Sequence, residues 1–169
     1  MAKRLRKMLG SRDASCTQSL LNLIETQDKM TICTWCIDYA KAHFLPIFER
    51  RCPGDDRLRK ALEAARDYLS DRAKFSEVKS IIWYGTASEA DSDPIVQAAE
   101  RAVGQAASYA RHPSRWHAIA VYFYGAAAVA YDQLGLHASD EEYNAVAEAI
   151  CADMTARLQQ IAYPVPQQR

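Results

Sequence analysis

Only six glycines are scattered through 169 residues, so no glycine-rich loop is available to cradle a phosphate with backbone N–H groups. No GxSxG sequence offers a nucleophile on a strand-to-helix elbow, and no HExxH sequence puts two imidazoles on one helical face for zinc. An excess of either charge is also missing: 21 basic side chains against 21 acidic ones give a formal net charge of zero. The whole molecule therefore sets up no field to draw in nucleic acid or an anionic membrane, and only a local patch could do so. Alternating apolar and polar runs bounded by turn formers are absent, which argues against β-structure. A bilayer-spanning helix needs about 20 apolar residues, and the long uncharged stretch Ala118 to Tyr131 falls short of that. Five cysteines (Cys16, Cys33, Cys36, Cys52, Cys151) form an odd, dispersed set. Such a set argues against a disulfide framework and for the reducing cytoplasm.

The start of the chain is basic: Lys3, Arg4, Arg6, Lys7 and Arg12 all precede the first acid, Asp13. Leu5, Met8 and Leu9 are too few for a secretory apolar core. The expected organisation is a solvated, flexible basic segment over residues 1–12, one helical domain over 13–163 and a flexible tail over 164–169. A domain of this length buries about 70% of the surface its unfolded chain exposes, so it needs no staples.

The stretch Asp55 to Leu69, DDRLRKALEAARDYL, has the most complete helix signal. Leu58, Ala61, Leu62, Ala65, Tyr68 and Leu69 recur every three or four residues and share one helical face. Arg59, Lys60, Glu63, Arg66 and Asp67 fall opposite, where Arg59 and Lys60 are within reach of Glu63 across one turn. Pro53 and Gly54 end what precedes, and Asp55 and Asp56 offer carboxylates to the unpaired N–H groups of the new helix.

Similar reasoning places a first helix between Asp13 and Gln27, and a second from about Asp28 to Arg51 that contains Pro46. Proline there removes a donor and crowds the carbonyl of Ala42, so a kink or early end is expected. A fourth helix spans about Ser76 to Ser88 with Val78, Ile81 and Ile82 inward, followed by an acidic linker, Glu89 to Asp93. Asp93 then caps a fifth helix with Pro94 at its first position and a buried stripe from Ile95 to Ala110. The sixth, Trp116 to Leu134, is apolar on every side and is expected at the centre of the bundle. Its Tyr122, Tyr124 and Tyr131 need hydrogen-bond partners or a cavity. The last helix opens at Ser139, whose spacing to Glu142 is that of a capping box, and is ended by Pro164 and Pro166. The expected fold is all-α: about six or seven antiparallel helices around the Trp116 to Leu134 helix.

Cys33 and Cys36 form a CxxC, but it lies inside an amphipathic stretch with Ile37, Ala40 and Phe44, so buried thiols are expected over a redox or zinc site. Arg111, His112, Arg115 and His117 cluster in a basic loop before the sixth helix, whose free N–H groups favour an anion. A solvated loop is the ordinary alternative.

The DDRLRKALEAARDYL block together with QDKMTICTWCIDYAKAHFLPIFERRCPG (Gln27 to Gly54) resembles the immunity proteins of bacterial polymorphic-toxin systems, and the likeness continues more faintly through Ala98 to Ala130. Those are small helical antidotes, so the resemblance implies a non-catalytic protein that binds and neutralises a cognate toxin. It implies a protein partner, no cofactor, no metal and no membrane. Candidate contact residues are Asp55, Asp56, Arg59, Glu63 and Arg66 on one helix and Arg115 and Trp116 on another, chosen as a charged rim with an aromatic anchor. Arg111, His112 and His117 are the candidate anion site. Two other readings stay open: a helical enzyme whose pocket spacing cannot reveal, and a nucleic-acid-associated module using the basic first residues. Self-association is left open too.

Overall fold

A computed structural model describes residues 4–86 and 93–162, and among these it contains α-helices, one π-helical turn and no strand. The helices are α1 (Ser15–Glu25), α2 (Lys29–Tyr39), α3 (Leu45–Arg51), α4 (Arg57–Leu69), α5 (Phe75–Thr86), α6 (Pro94–Tyr109), α7 (Arg115–Leu134) and α8 (Asp140–Ile161). The all-helical bundle is as expected. Its extra helix arises because the second expected helix is divided into α2 and α3.

The division shows how the chain accommodates Pro46. Residues Ala40–Phe44 form a π turn between α2 and α3, in which Leu45 donates its N–H to the Ala40 carbonyl five residues back. The wider turn takes up the missing donor just before the proline, so the chain runs on helically from Lys29 to Arg51 without the expected early end. It also delivers the Phe44 ring, fully buried, against α7 at Gly125. A Cβ there would lie 2.0 Å from Phe44 Cζ, so only glycine leaves room for the ring.

The core is built on α6 and α7, two helices joined by a short turn and packed along their lengths. Small residues permit the close approach: Ala98, Ala99, Ala102, Ala106 and Ala110 on one side, Ala126, Ala127 and Ala130 on the other, all buried. Asp93 caps α6 by accepting from Ile95 N at 2.8 Å, and Gly135, with φ of 74°, closes α7. The reciprocal capping box at Ser139 and Glu142 starts α8 as its spacing implies. Trp35 Nε1 donates to the Met154 carbonyl at 3.0 Å, tying α2 to α8.

Three local expectations differ from what is found. Residues 4–12 are not simply a solvated segment, because Leu9 is 1% exposed and donates its N–H to the Phe123 carbonyl at 3.1 Å. The Tyr131 hydroxyl, a buried group in need of a partner, donates to the Arg6 carbonyl at 2.5 Å. On α5, Val78 and Ile82 are buried but Ile81 is exposed, since α4 and α6 cover only one side of that helix. Arg59 and Lys60 form their ion pairs with Glu49 and Asp56, while Glu63 acts on both only through its charge. The linker expected over Glu89 to Asp93 lies outside the described residues except at Asp93, as do residues 1–3, the end of the fourth expected helix and the tail from 163 onward.

Candidate interaction surface

The acidic-arginine block turns one of its residues inward. Asp55 accepts from Arg57 twice, from the backbone N at 3.1 Å and from Nε at 3.0 Å. Arg57 reaches on to Glu100 of α6 and to the Gly85 carbonyl of α5 at 3.3 Å, with its guanidinium 5.2 Å from the Phe48 ring centre. The Glu100 side chain is 2% exposed and that of Arg57 17%. Burial opposes the guanidinium's charge, yet the bonds from Asp55 and Glu100 outweigh it and hold the Arg57 pKa above its ordinary value. Arg57 therefore joins α4, α5 and α6 and supplies the counter-charge for a buried carboxylate. Neither residue was among the candidates. The signal for Glu100 is a carboxylate, next to Arg101, inside the alanine-rich stretch Ala98–Val103.

The outer edge of α4 is laced to its neighbours. Arg59 meets Glu49 of α3 through two bonds of 2.8 Å each, Arg66 pairs with Asp38 of α2, and Lys60 with Asp56 at 2.9 Å. Arg72 pairs with Asp67 at 2.9 Å, and Glu63 is exposed. Such solvent-facing pairs add little to stability. They do hold charged groups in fixed places, which suits recognition more than folding.

At the other candidate position, several helix ends meet. Lys29 at the start of α2 lies 5.8 Å from the Tyr68 ring of α4; Tyr68 meets Phe75 of α5 edge-on at 5.6 Å; Arg111, in the α6–α7 turn, lies 5.1 Å from Phe75. Beside this ladder, Trp116 is flanked by Arg12 at 4.8 Å and Arg115 at 4.6 Å, and Arg115 also pairs with Glu25 of α1. His112 and His117 stack with ring centres 6.2 Å apart across Pro113, and Ser114 Oγ accepts from His117 N at 3.2 Å while lying 2.9 Å from His117 Nδ1. The structure thus stacks His112 on His117 and sets Arg115 against Trp116, with Arg111 in the same turn against Phe75. Arg66, in the third turn of α4, lies toward this end, while Asp55, Asp56 and Arg59 lie at the start of α4.

Other chemistry finds less support. Cys33 and Cys36 are buried within α2, and burial pushes the Cys33 thiol up to about 12 and that of Cys36 well above its usual range. Nucleophilic thiolates need the opposite shift. Among the described residues no three His, Cys, Asp or Glu side chains converge as a metal site, and no helix is long and apolar enough to cross a membrane. A groove of about 380 Å³ runs between the π turn and the end of α8, lined by Trp35, Tyr39, His43 and Arg157. Tyr39 donates to Asp153 there at 2.7 Å. A second groove, of about 400 Å³, lies beside Leu5, Leu9, Tyr131 and Tyr143. Neither lining contains a pair of carboxylates for acid–base work. Trp83 and Tyr84 on α5, 66% and 73% exposed, were not anticipated as surface residues, although the run IIWYG holds more apolar residues than one helical face can bury.

The described surface therefore offers fixed charges and exposed aromatic rings, which suit contact with another macromolecule. No curated protein and no solved structure matches the chain. One family model does, over residues 22–157, a span that takes in the inward-turned Arg57, its partner Glu100 and the Trp116 cluster. By that match, the chain belongs to the family described as Imm-5 like putative immunity protein.

Proposed function

We propose that this protein is an antidote that binds a cognate bacterial toxin in the cytoplasm and neutralises it by occupying or distorting it, with no cofactor and no chemistry of its own. The observation that carries the reading is the family match over residues 22–157. Specificity comes from charged side chains held at fixed positions, and affinity from a few aromatic or arginine anchors. On α4 the contact residues are Asp56, Arg59, Glu63 and Arg66, with Asp55 acting from behind by orienting Arg57. On α7 they are Arg115 and Trp116, with Arg111, His112 and His117 taking an anionic group of the partner.

Co-expression with the product of the adjacent gene tests this. Cells that stop growing when they make that product alone resume growth when they also make this protein. Equal killing with and without it, together with no recoverable complex, removes the proposal.

A further inference from the structure

We infer that the docking surface is the end of the bundle where Lys29, Arg111 and the Arg12–Trp116–Arg115 stack meet, and that the partner is a protein presenting acidic side chains to it. This rests on the antidote reading and says which face it uses and what chemistry it grips.

Two observations set this end apart. The first is the state of its cations. Along α4 and just after it, Arg59, Arg66 and Arg72 each have a carboxylate of this chain as partner. By contrast, among the described residues Arg12, Lys29 and Arg111 have no carboxylate within ion-pair distance; they lie over the rings of Trp116, Tyr68 and Phe75. Of the acids on these elements, Glu25 pairs with Arg115, Asp67 with Arg72, and Asp28 caps α2 by accepting from Thr31 N at 2.7 Å, while Asp13 follows Arg12 without forming an ion pair with it. These three cations therefore remain able to pair with an external carboxylate.

The second is preorganisation. A cation lying on a ring, and a ring itself held by a neighbouring ring as Tyr68 is by Phe75, has less side-chain freedom to lose on binding. Two large apolar side chains are exposed at the same end, Met30 at 49% and Trp116 at 45%. Trp and Arg are the residue types in which binding energy concentrates. Carboxylates are favoured over nucleic-acid phosphates because the molecule as a whole carries no net charge, and a handful of cations supports few phosphate contacts.

Binding of the purified product of the adjacent gene to the full chain, followed by titration calorimetry at low and high salt, reads this out. The double charge reversal Arg12→Glu with Arg111→Glu, and separately Trp116→Ala, each weaken binding about tenfold or more, and the double variant also flattens the salt dependence. Arg50→Glu, at the far end of α7 from Trp116 where Arg50 pairs with Asp132, changes the dissociation constant by no more than about twofold. Unchanged melting curves show that the variants are folded. If the wild-type chain binds the product and the variants at this end bind equally well, the surface is elsewhere and the inference fails while the antidote reading stands. If the wild-type chain binds nothing, both fail. Binding of a 20-base-pair DNA duplex that the same variants abolish, or a dimer of this chain that they dissociate, assigns the surface to another occupant and overturns the inference.

Discussion

Glu100 on α6 and Arg57 on α4 form an ion pair whose carboxylate is 2% exposed and whose guanidinium is also bonded to Asp55 and to the Gly85 carbonyl. Removing one partner takes a close counter-charge away from the buried pair. Arg57→Ala is expected to cost about 3 kcal/mol, at the lower end for breaking a buried pair because Arg57 is partly exposed. Replacing both residues, Arg57→Met with Glu100→Met, costs less than the single change, since the buried carboxylate is removed together with its counter-charge. Urea unfolding of the two variants measures the difference.

Gly125 leaves no room for a side chain beneath the Phe44 ring. Gly125→Ala is expected to destabilise by about 1–3 kcal/mol through overpacking. Shrinking the obstacle by Phe44→Leu in the same chain recovers part of that loss. Thermal melts of the single and double variants check it, and additive losses would show that the two sites are independent.

Much of the fold was legible because its determinants are close in sequence. Asp93 followed by Pro94, and Ser139 spaced from Glu142, set helix starts through bonds made within one turn. The α6 stripe is buried at every expected position for the same reason of periodicity. The π turn was not legible: Pro46 predicts a kink or an early end, but not that one wider turn absorbs it and seats Phe44 against Gly125, far off in the chain. Partner choice was hidden likewise: Arg59 finds Glu49 on another helix, beyond any rule about neighbours one turn away. At the candidate surface, Arg111, His112 and His117 could be grouped because they are near in sequence. Lys29, Tyr68 and Phe75 join them only through tertiary packing of α2, α4 and α5.

Residues 4–12 supply another test. Leu9 is buried and its N–H bonds to α7, so Leu9→Ala is expected to cost about 2–3 kcal/mol. A segment that was merely solvated would show no change. Chemical denaturation distinguishes the two.

Stability also depends on pH in the alkaline range. Burial raises the Cys33, Cys151 and Tyr109 pKa values, each to about 12, above ordinary values of 9.0 for the thiols and 10.0 for the phenol. Unfolded chains ionise these groups first, so their contribution is complete below about pH 9. It is lost progressively as pH rises toward 12. Melting temperature across pH 8 to 11 is expected to hold level and then fall, and native Cys33 is expected to resist thiol-reactive dye at pH 8 until the protein unfolds.

The most direct test of the binding account is size-exclusion chromatography with light scattering on a mixture of this protein and the product of the adjacent gene. The account predicts a new species containing both chains, of mass equal to a sum of the two components, with the product's activity blocked in that fraction. Separate elution of the two chains with the product fully active would contradict it.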